Sequence, residues 1–389
     1  MRHRGLLFVA AMLMVFAGPS LAGAAFSNAS LSGSYFGNVY MGEATNWATA
    51  FVTFTFDGAG SCTITGTYAD NTTASQAFAD TGTYTVSSLG YVELSYAGGG
   101  DHAGYLKDGG DVLVVANLTD QTSQEVGVVV KKGSGMSTAD LNGTYHAAAY
   151  VASTGERISV LGTFTFDGLG AYTGTLNYNS TLGGTGTISG SGTYSVAADG
   201  TVTLTGFPDG AGQVMMAGLS SDGNVVAMAN VDEADDQVVA TLVKKGSGYS
   251  AASLSGKYHV SVYAYDGGVR QSILVTITFD GAGGFTYSGT VNDSQGGVGA
   301  IPATNGTYTV AADGTGTLDL GQGDTMEIAL LSDATMAVGA TLASGSDQEY
   351  AVVVKNTATS TSGGITGGGI TGGTTGGDSS SGCFIRSLH

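Results

Sequence analysis

The stretch Gly162-Thr-Phe-Thr-Phe-Asp-Gly-Leu-Gly170 determines how the whole chain folds. Its two phenylalanines alternate with threonines, so in an extended strand the rings point to one face and the hydroxyls to the other. The Asp-Gly pair that follows favours a tight hairpin, because glycine tolerates positive φ and aspartate bonds the turn backbone. The stretch therefore predicts a half-buried strand that turns back on itself.

The same stretch occurs in three copies, and other markers repeat with it. The markers recur at offsets of 110 to 114 residues, which is longer than a solenoid repeat and typical of a whole domain. The sequence therefore predicts three tandem domains that fold independently. The copies are Phe54-Thr-Phe-Asp-Gly-Ala-Gly60 and Ile277-Thr-Phe-Asp-Gly-Ala-Gly283, with Leu31-Ser-Gly-Ser-Tyr35, Leu141-Asn-Gly-Thr-Tyr145 and Leu254-Ser-Gly-Lys-Tyr258 as a second marker.

Each copy divides into eight segments that are rich in Thr, Val, Tyr and Phe. Short turns join these segments, and no helical period lies between them. An antiparallel meander of eight strands can close on itself and so remove its exposed edges. The sequence therefore predicts an all-β chain of three tandem eight-strand antiparallel up-and-down barrels. In copy two the predicted strands are 144–151, 158–166, 172–178, 186–196, 201–206, 213–219, 225–231 and 237–244.

Two other all-β folds fit the same alternation. A β-sandwich is the main alternative, because it also needs strands with one apolar face. One large outer-membrane barrel would need aromatic girdles and lipid-facing strands throughout. The repeat boundaries Lys131-Lys-Gly-Ser-Gly135 and Lys244-Lys-Gly-Ser-Gly248 instead indicate soluble linkers between domains.

The first residues have the pattern of an export signal. Arg2, His3 and Arg4 precede an apolar stretch, and small residues around 20–24 offer cleavage sites. The apolar stretch is shorter than the ~20 residues that a membrane span needs. We therefore expect an exported protein that is extracellular, on the cell surface or periplasmic, with no transmembrane span in the mature chain. The predicted domains are a signal peptide (1–24), barrels at 25–133, 137–246 and 250–356, and a tail (357–389).

Charge and cysteine content exclude some classes of function. Only 12 Lys and Arg stand against 31 Asp and Glu, and the resulting net charge of −19 repels phosphate backbones. Nucleic acid is therefore excluded as a partner. The two cysteines, Cys62 and Cys383, provide no disulfide framework. Because Tyr172 and Phe285 occupy the position of Cys62 in the other copies, we expect Cys62 to be a small buried hydrophobe.

The C-terminal tail is dominated by Gly, Ser and Thr. Such a composition cannot bury enough apolar surface to order itself, so we expect a flexible tether. It ends in Gly382-Cys-Phe-Ile385, and a lone cysteine near the end of an exported chain is unusual. Cys383 is therefore a candidate point of attachment to the cell envelope. The alternative is an incidental thiol on a disordered end.

Two histidines share one repeat position, directly after the motif tyrosine. His146 and His259 occupy this position in copies two and three, and Phe36 occupies it in copy one. A phenylalanine at the equivalent site indicates a packing position, and no second histidine has metal-ligand spacing. The sequence therefore predicts no metal site at these histidines.

Acidic residues in turns are the other candidate ligands. Asp57, Asp167 and Asp280 begin the Asp-Gly turns, and Asp232-Glu-Ala-Asp-Asp236 clusters four acids in one loop. Their spacing is not that of a calcium loop, and an Asp-Gly turn needs no metal. We interpret the first three as turn residues and the cluster as a solvated acidic loop. No nucleophile with an oriented base and no phosphate loop can be named, so we expect no enzyme, catalytic residue, metal or cofactor.

The repeated motifs resemble those of uncharacterised secreted bacterial surface-protein repeats. The resemblance covers residues 31–355 and comprises a Gly-x-Tyr opening strand, a Phe-Asp-Gly-x-Gly hairpin and a Gly-Thr-Tyr-x-Val strand. The Gly-Cys-Phe-Ile motif resembles the C-termini of some exported Gram-negative proteins, which implies sorting or attachment through Cys383. No hydrophobic helix and basic cluster follow it, as a full sorting signal would require. The Gly-x-Tyr motif is also similar to the Gly-x-Trp motif of lipocalin and avidin-like barrels, which implies shape only.

These observations leave two functions open. The first is an exported, cell-surface, non-enzymatic protein of tandem β-modules that acts as a binding or structural element with an unidentified surface or extracellular partner. The alternative is a carrier of small apolar ligands inside one or more barrels. The barrel interior discriminates between them, because a carrier keeps a cavity and a purely structural barrel fills it with side chains.

Overall fold

The computed structural model describes residues 25–206, 214–234, 236–321, 323–343 and 347–358. The predicted signal peptide, Asp235 and almost all of the predicted tail, including Cys383, lie outside these residues. The signal peptide, the tether and the attachment point therefore stay predictions, as do the proposed domain boundaries.

The described chain forms three closed barrels of eight antiparallel strands each. Every strand pairs with its neighbours in sequence, and the last strand of each barrel pairs with its first. The prediction of three up-and-down barrels is confirmed. The β-sandwich alternative and the single large barrel are wrong, because each repeat closes its own sheet and leaves no open edge.

The strand bounds follow the predicted segments closely. Barrel 1 consists of β1 (Ser32–Gly42), β2 (Trp47–Asp57), β3 (Ser61–Asp70), β4 (Gln76–Val86), β5 (Tyr91–Tyr96), β6 (Asp101–Leu106), β7 (Val112–Asn117) and β8 (Gln124–Lys131). Barrel 2 consists of β9 (Asn142–Ser153), β10 (Glu156–Asp167), β11 (Ala171–Ser180), β12 (Gly184–Val196), β13 (Thr201–Thr205), β14 (Val214–Leu219), β15 (Val225–Asn230) and β16 (Gln237–Lys244). Barrel 3 consists of β17 (Ser255–Asp266), β18 (Val269–Asp280), β19 (Gly284–Asp293), β20 (Gly297–Val310), β21 (Thr315–Gly321), β22 (Asp324–Leu330), β23 (Met336–Ala340) and β24 (Gln348–Lys355). A one-turn 3-10 helix precedes each barrel, at Asn28–Ser30, Thr138–Asp140 and Ala251–Ser253. None of the helices in the described ranges is long and apolar enough to cross a membrane.

The motif tyrosines close one end of each barrel. In barrel 2 the Tyr145 hydroxyl donates to the Gly223 carbonyl at 2.6 Å, and the Tyr194 hydroxyl donates to the Leu141 carbonyl at 2.6 Å. Phe166 packs against both rings, with centroid distances of 5.6 and 5.0 Å. We call this the closed end, and we call the opposite end, where β9 turns into β10, the hairpin end. The equivalent bonds in the other barrels are Tyr35 to Gly110, Tyr84 to Leu31, Tyr258 to Ala334 and Tyr308 to Leu254.

The three barrels form a closed ring in which each contacts both others. One hydroxyl at the same position of each barrel donates to a backbone carbonyl at the same position of the next barrel. Because all three junctions repeat one contact, the ring has approximate threefold symmetry. The donor and acceptor pairs are Thr49 with Asn230, Ser159 with Thr341, and Ser272 with Asn117.

Three tyrosines meet on the axis of this ring. The rings of Tyr40, Tyr150 and Tyr263 are fully buried, with centroids 4.6 to 4.9 Å apart and edge-on contacts. They belong to one apolar cluster with residues from all three barrels. The predicted linkers are also in contact, since Lys132 pairs with the backbone of Ser220 in barrel 2. The sequence treats the barrels as separate units, whereas in the fold they share a core.

Candidate functional site

The interior of barrel 2 holds a cavity of about 360 Å³. Apolar side chains form most of its lining, and its volume lies in the range of small-molecule sites, about 300–1,000 Å³. Its floor is made by Phe164 and Tyr172, which rest against Phe166 of the closed end. The cavity therefore extends from the aromatic cluster at the closed end towards the hairpin end.

Small side chains on the first strand of barrel 2 create this space. Ala147 and Ala149 point inward from β9, where barrel 3 has Val260 and Val262. Ala240 adds a third small residue on the neighbouring strand β16. Each missing branch removes side-chain volume from the lining, and none of the described neighbours fills the gap.

A second difference lies at the end of strand β13. Gly206 follows this strand where barrel 1 has Tyr96 and barrel 3 has Leu320. Tyr96 is buried in barrel 1, and Leu320 packs against the core of barrel 3. Barrel 2 thus lacks a large side chain that each of the other barrels places here.

Barrel 1 fills the same region with a buried polar pair. His102 Nε2 lies 3.0 Å from Glu125 Oε2, and both side chains are almost fully buried. The Ser123 hydroxyl donates to the other Glu125 oxygen at 3.0 Å. Met215 and Val238 occupy the equivalent positions in barrel 2 and line its cavity. Barrel 2 therefore has apolar side chains where barrel 1 has a buried glutamate and histidine.

Two carboxylates stand where the cavity approaches the hairpin end. Glu156 from the start of β10 and Asp236 before β16 both line it, next to Gly183. Glu156 accepts a hydrogen bond from the Ser180 hydroxyl, which fixes its side chain across the β10–β11 pair. The cavity thus has an apolar body and an acidic mouth.

The two histidines that share one repeat position, His146 and His259, lie at barrel junctions and outside this cavity. His146 Nε2 is 3.2 Å from the Asp313 carbonyl of barrel 3, and the His259 ring stacks on Tyr105 of barrel 1 at 3.4 Å. Burial lowers the pKa of His146, and it lowers the pKa of His259 to about 3, so both rings are neutral at pH 7. Phe36 fills the same position against Gly218 of barrel 2. The interpretation of this position as a packing site is confirmed.

The motif aspartates are turn residues, as predicted. Asp167 Oδ1 accepts hydrogen bonds from the N–H groups of Leu169, Gly170 and Ala171 at 2.7 to 3.0 Å. These backbone bonds lower its pKa because they favour the charged form. Asp57 and Asp280 make the same type of turn in the other barrels.

Cys62 and Asp232, which the structure describes, form no site of their own. Cys62 is buried and unpaired, as expected for a small hydrophobe, and burial raises its pKa to about 11. Asp232 is exposed at the surface of its loop. Within the described residues, no three His, Cys, Asp or Glu side chains come together in a way that could hold a metal ion.

The cavity is the feature that the sequence analysis did not locate. Its signal was present in the repeat comparison, because Ala149 and Gly206 replace larger residues of both other copies and Ala147 replaces Val260 of copy three. A difference of this kind becomes interpretable only after the register shows which residues point inward.

Comparison with known proteins yields a remote likeness only. No family model matches the chain, and neither does any curated protein. Among solved structures, a transferrin binding protein B mutant from Haemophilus parasuis shares 10% identity over 82% of this chain and 75% of its own, with a TM-score of 0.28. Isotype 1 transferrin binding protein B from Neisseria meningitidis shares 10% identity over 79% and 64%, with a TM-score of 0.26. A protein of unknown function from Nostoc punctiforme shares 10% identity over 56% and 96%, with a TM-score of 0.20. At these scores the likeness carries no argument about function.

Proposed function

We propose that this chain is an exported, non-enzymatic binding protein in which the three barrels act as one body and barrel 2 carries a small apolar ligand. The observation that carries the proposal is the cavity of about 360 Å³ inside barrel 2. A barrel that served only as a spacer would gain stability from a filled interior. The apolar cavity therefore favours the carrier function over a purely structural one.

The lining defines the class of ligand. A cavity of 150 Å³ with similar lining takes up benzene, so this one suits a ligand of roughly 15 non-hydrogen atoms. Glu156 and Asp236 at the mouth repel an anionic head group. We therefore propose an uncharged or cationic ligand with an apolar body.

A binding experiment with an uncharged fluorescent arylamine tests the proposal. We expect one saturable site per chain and displacement by 1-decanol in preference to decanoate, because the mouth carries negative charge. Ala149→Phe should abolish binding by filling the cavity, and Ala240→Leu should weaken it. The control Ala171→Phe adds the same ring on the exposed face of β11 and should bind like the wild type. Equal binding in Ala149→Phe and the wild type would contradict the proposal.

The cellular location belongs to the same proposal and rests on the sequence. The basic and apolar N-terminal pattern supports export, and Cys383 supports attachment through the tail. Cys383→Ser should release the protein into the medium with its barrels folded. Intact mass spectrometry of the native C-terminus should show a modified cysteine. An unmodified terminus together with unchanged location of the variant would remove the attachment role.

A further inference from the structure

At the hairpin end, one layer of side chains covers the axis of the ring. This layer lies two residues along each first strand from the tyrosines of the axis, on the same face of the sheet. It is made by the cross-strand pairs Gly42–Trp47 of barrel 1, Ala152–Arg157 of barrel 2 and Tyr265–Arg270 of barrel 3. We call this layer, with the hydroxyls of Tyr40, Tyr150 and Tyr263 beneath it, the axial site.

Arg157 and Arg270 are the only arginines of the described residues, and both belong to the axial site. The Arg157 guanidinium lies 4.4 Å from the centre of the Trp47 ring and 5.4 Å from that of Tyr265. Tyr265 is the direct cross-strand partner of Arg270. Both arginines therefore lie in one side-chain layer with Trp47 and Tyr265, and each of the three barrels contributes to this layer.

Both arginines use neutral hydrogen-bond acceptors, although the chain has 31 acidic residues. Arg157 donates to the carbonyls of Ser153 and Glu156, and Arg270 donates to the Gln124 side chain and the Gly268 carbonyl. No ion pair in the described ranges involves either guanidinium. Asp293 is the nearby acid: burial opposes the shift, but the hydrogen bond from Gln271 and the charge of Arg270 lower its pKa. Asp293 forms no ion pair with Arg270, so neither guanidinium is neutralised by direct contact with a carboxylate of the described residues.

Beneath the arginines lie four buried polar groups that can donate hydrogen bonds. The hydroxyls of Tyr40, Tyr150 and Tyr263 are buried, and so is the Trp47 indole N–H. Within the described residues the three hydroxyls interact with one another, and none of the four groups has a hydrogen-bond partner outside this cluster. Buried polar groups are normally hydrogen-bonded, so these donors favour a ligand that accepts hydrogen bonds from them.

The tyrosine hydroxyls reach the level of the arginines. A Cβ atom at Gly42 would lie 2.1 Å from the Tyr263 hydroxyl, so this hydroxyl is next to the layer that holds Trp47 and Arg157. Burial raises the pKa of Tyr40 to about 12, and the charges of Arg157 and Arg270 oppose that rise. The hydroxyl is therefore protonated at neutral pH, and it is close enough to both arginines to respond to their charge.

We propose that the axial site binds an oxyanion, a carboxylate or phosphate group, between Arg157 and Arg270 with the tyrosine hydroxyls and the Trp47 N–H as further donors. The oxygens of such a group accept hydrogen bonds from guanidinium and hydroxyl donors together. Because all three barrels supply donors, the bound anion would also link them. This site is separate from the cavity of barrel 2, so each can be tested without the other.

Trp47 is the only tryptophan of the chain, so its fluorescence reports on the axial site directly. The full mature chain is titrated at pH 7 with sodium phosphate and, separately, with sodium acetate, with sodium chloride added to keep the ionic strength constant. We expect a saturable change in emission with at least one anion, and the preferred one identifies the tetrahedral or the planar group. No saturable change with either would overturn the proposal.

Variants separate recognition from general salt effects. Arg157→Gln and Arg270→Gln should each weaken binding roughly tenfold or more, because each removes a charge-assisted donor. Arg157→Lys keeps the charge but loses the planar stack on Trp47 and should bind with intermediate strength. Tyr263→Phe should weaken binding roughly threefold to tenfold.

The control Lys257→Gln removes one positive charge from the start of β17 and should bind like the wild type. Unchanged affinity in all the arginine variants would overturn the proposal.

Discussion

Lys132 Nζ lies 3.0 Å from Asp199 Oδ2, and this ion pair connects the end of barrel 1 to barrel 2. Lys245 and Asp313 repeat the contact between barrels 2 and 3 at 3.1 Å. Between barrels 3 and 1, Asn356 takes the lysine position and donates to the Leu89 carbonyl at 3.0 Å. The third junction thus keeps the geometry of the other two without charge, and the ring closes on itself.

The junctions depend more on buried hydrogen bonds than on these surface ion pairs. Asn38 is fully buried, donates to the Ala240 carbonyl of barrel 2 at 2.7 Å and accepts from Val128 N–H at 2.9 Å. Asn38→Ala should lower the free energy of unfolding by roughly 2–3 kcal/mol, because it leaves buried groups unpaired. Lys132→Ala should cost about 1 kcal/mol or less. Urea unfolding measures both values.

A matched control for that comparison is Asn305→Ala, which makes the same change on an exposed position of β20. It should leave the free energy of unfolding within about 0.5 kcal/mol of the wild type. If Asn38→Ala behaved like Asn305→Ala, the inter-barrel bonds would contribute nothing to stability, and the importance given to the junction would be wrong.

Barrel 3 should lose stability as the pH rises from 4 to 8. Burial, with added repulsion from Asp324 and Asp347, raises the pKa of Glu349 from its usual 4.5 to about 7, although the Thr341 hydroxyl bond opposes the shift. Burial and the charges of Asp266 and Asp324 raise the pKa of Asp347 to about 6. Since both folded values exceed those of the unfolded chain, their contribution is complete below pH 4 and is lost as the pH passes 6 to 7.

The substitution Glu349→Gln isolates this effect. Glutamine still accepts the Thr341 bond but never ionises, so the variant should melt at a higher temperature than the wild type at pH 8 and at a similar one at pH 4. Thermal melts at both pH values, followed by circular dichroism, check this. A variant that is less stable than the wild type at pH 8 would mean that the ionised carboxylate is favourable in the barrel.

The motif aspartates should stabilise their turns, and calcium should not change this contribution to thermal stability. Asp167→Ala removes three hydrogen bonds to the turn backbone, so it should lower the melting temperature. The decrease should be the same with calcium and with a chelator. Calcium stabilisation that the wild type shows and the variant lacks would instead make Asp167 a metal ligand.

The strands and barrels were predictable because their determinants are local. Alternation in 162–166 and the Asp-Gly turn at Asp167 specify a strand and a hairpin without any distant contact. Eight such strands, joined by seven short turns in each domain, leave closure as the way to remove edges. For the same reason, Phe36 at the position of His146 was enough to predict packing there.

The ring and the cavity depend on contacts between distant parts of the chain. From the sequence alone, Thr49 is an ordinary strand threonine. Only the fold shows that its hydroxyl donates to the carbonyl of Asn230, 181 residues later. Tyr40 reads as a core residue of one barrel, although its ring meets the rings of two others. Local patterns do not indicate which outward face is solvated and which is shared, so the sequence predicts independent domains.

The shared core leads to a last prediction, about barrel 2 in isolation. Residues 137–246 contain all eight strands, but excision exposes the apolar outer face that packs on the neighbouring barrels. This face includes Tyr150, Leu161 and Val239. The excised piece should self-associate and melt well below the full chain, whereas the full chain should melt in one cooperative transition.

The substitution Tyr150→Ser should have opposite effects on the two proteins. It should lower the melting temperature of the full chain, and it should reduce self-association of the excised barrel. Calorimetry and sedimentation measure these quantities. An excised barrel that stays monomeric and melts with the full chain would show that the barrels are independent units that merely touch.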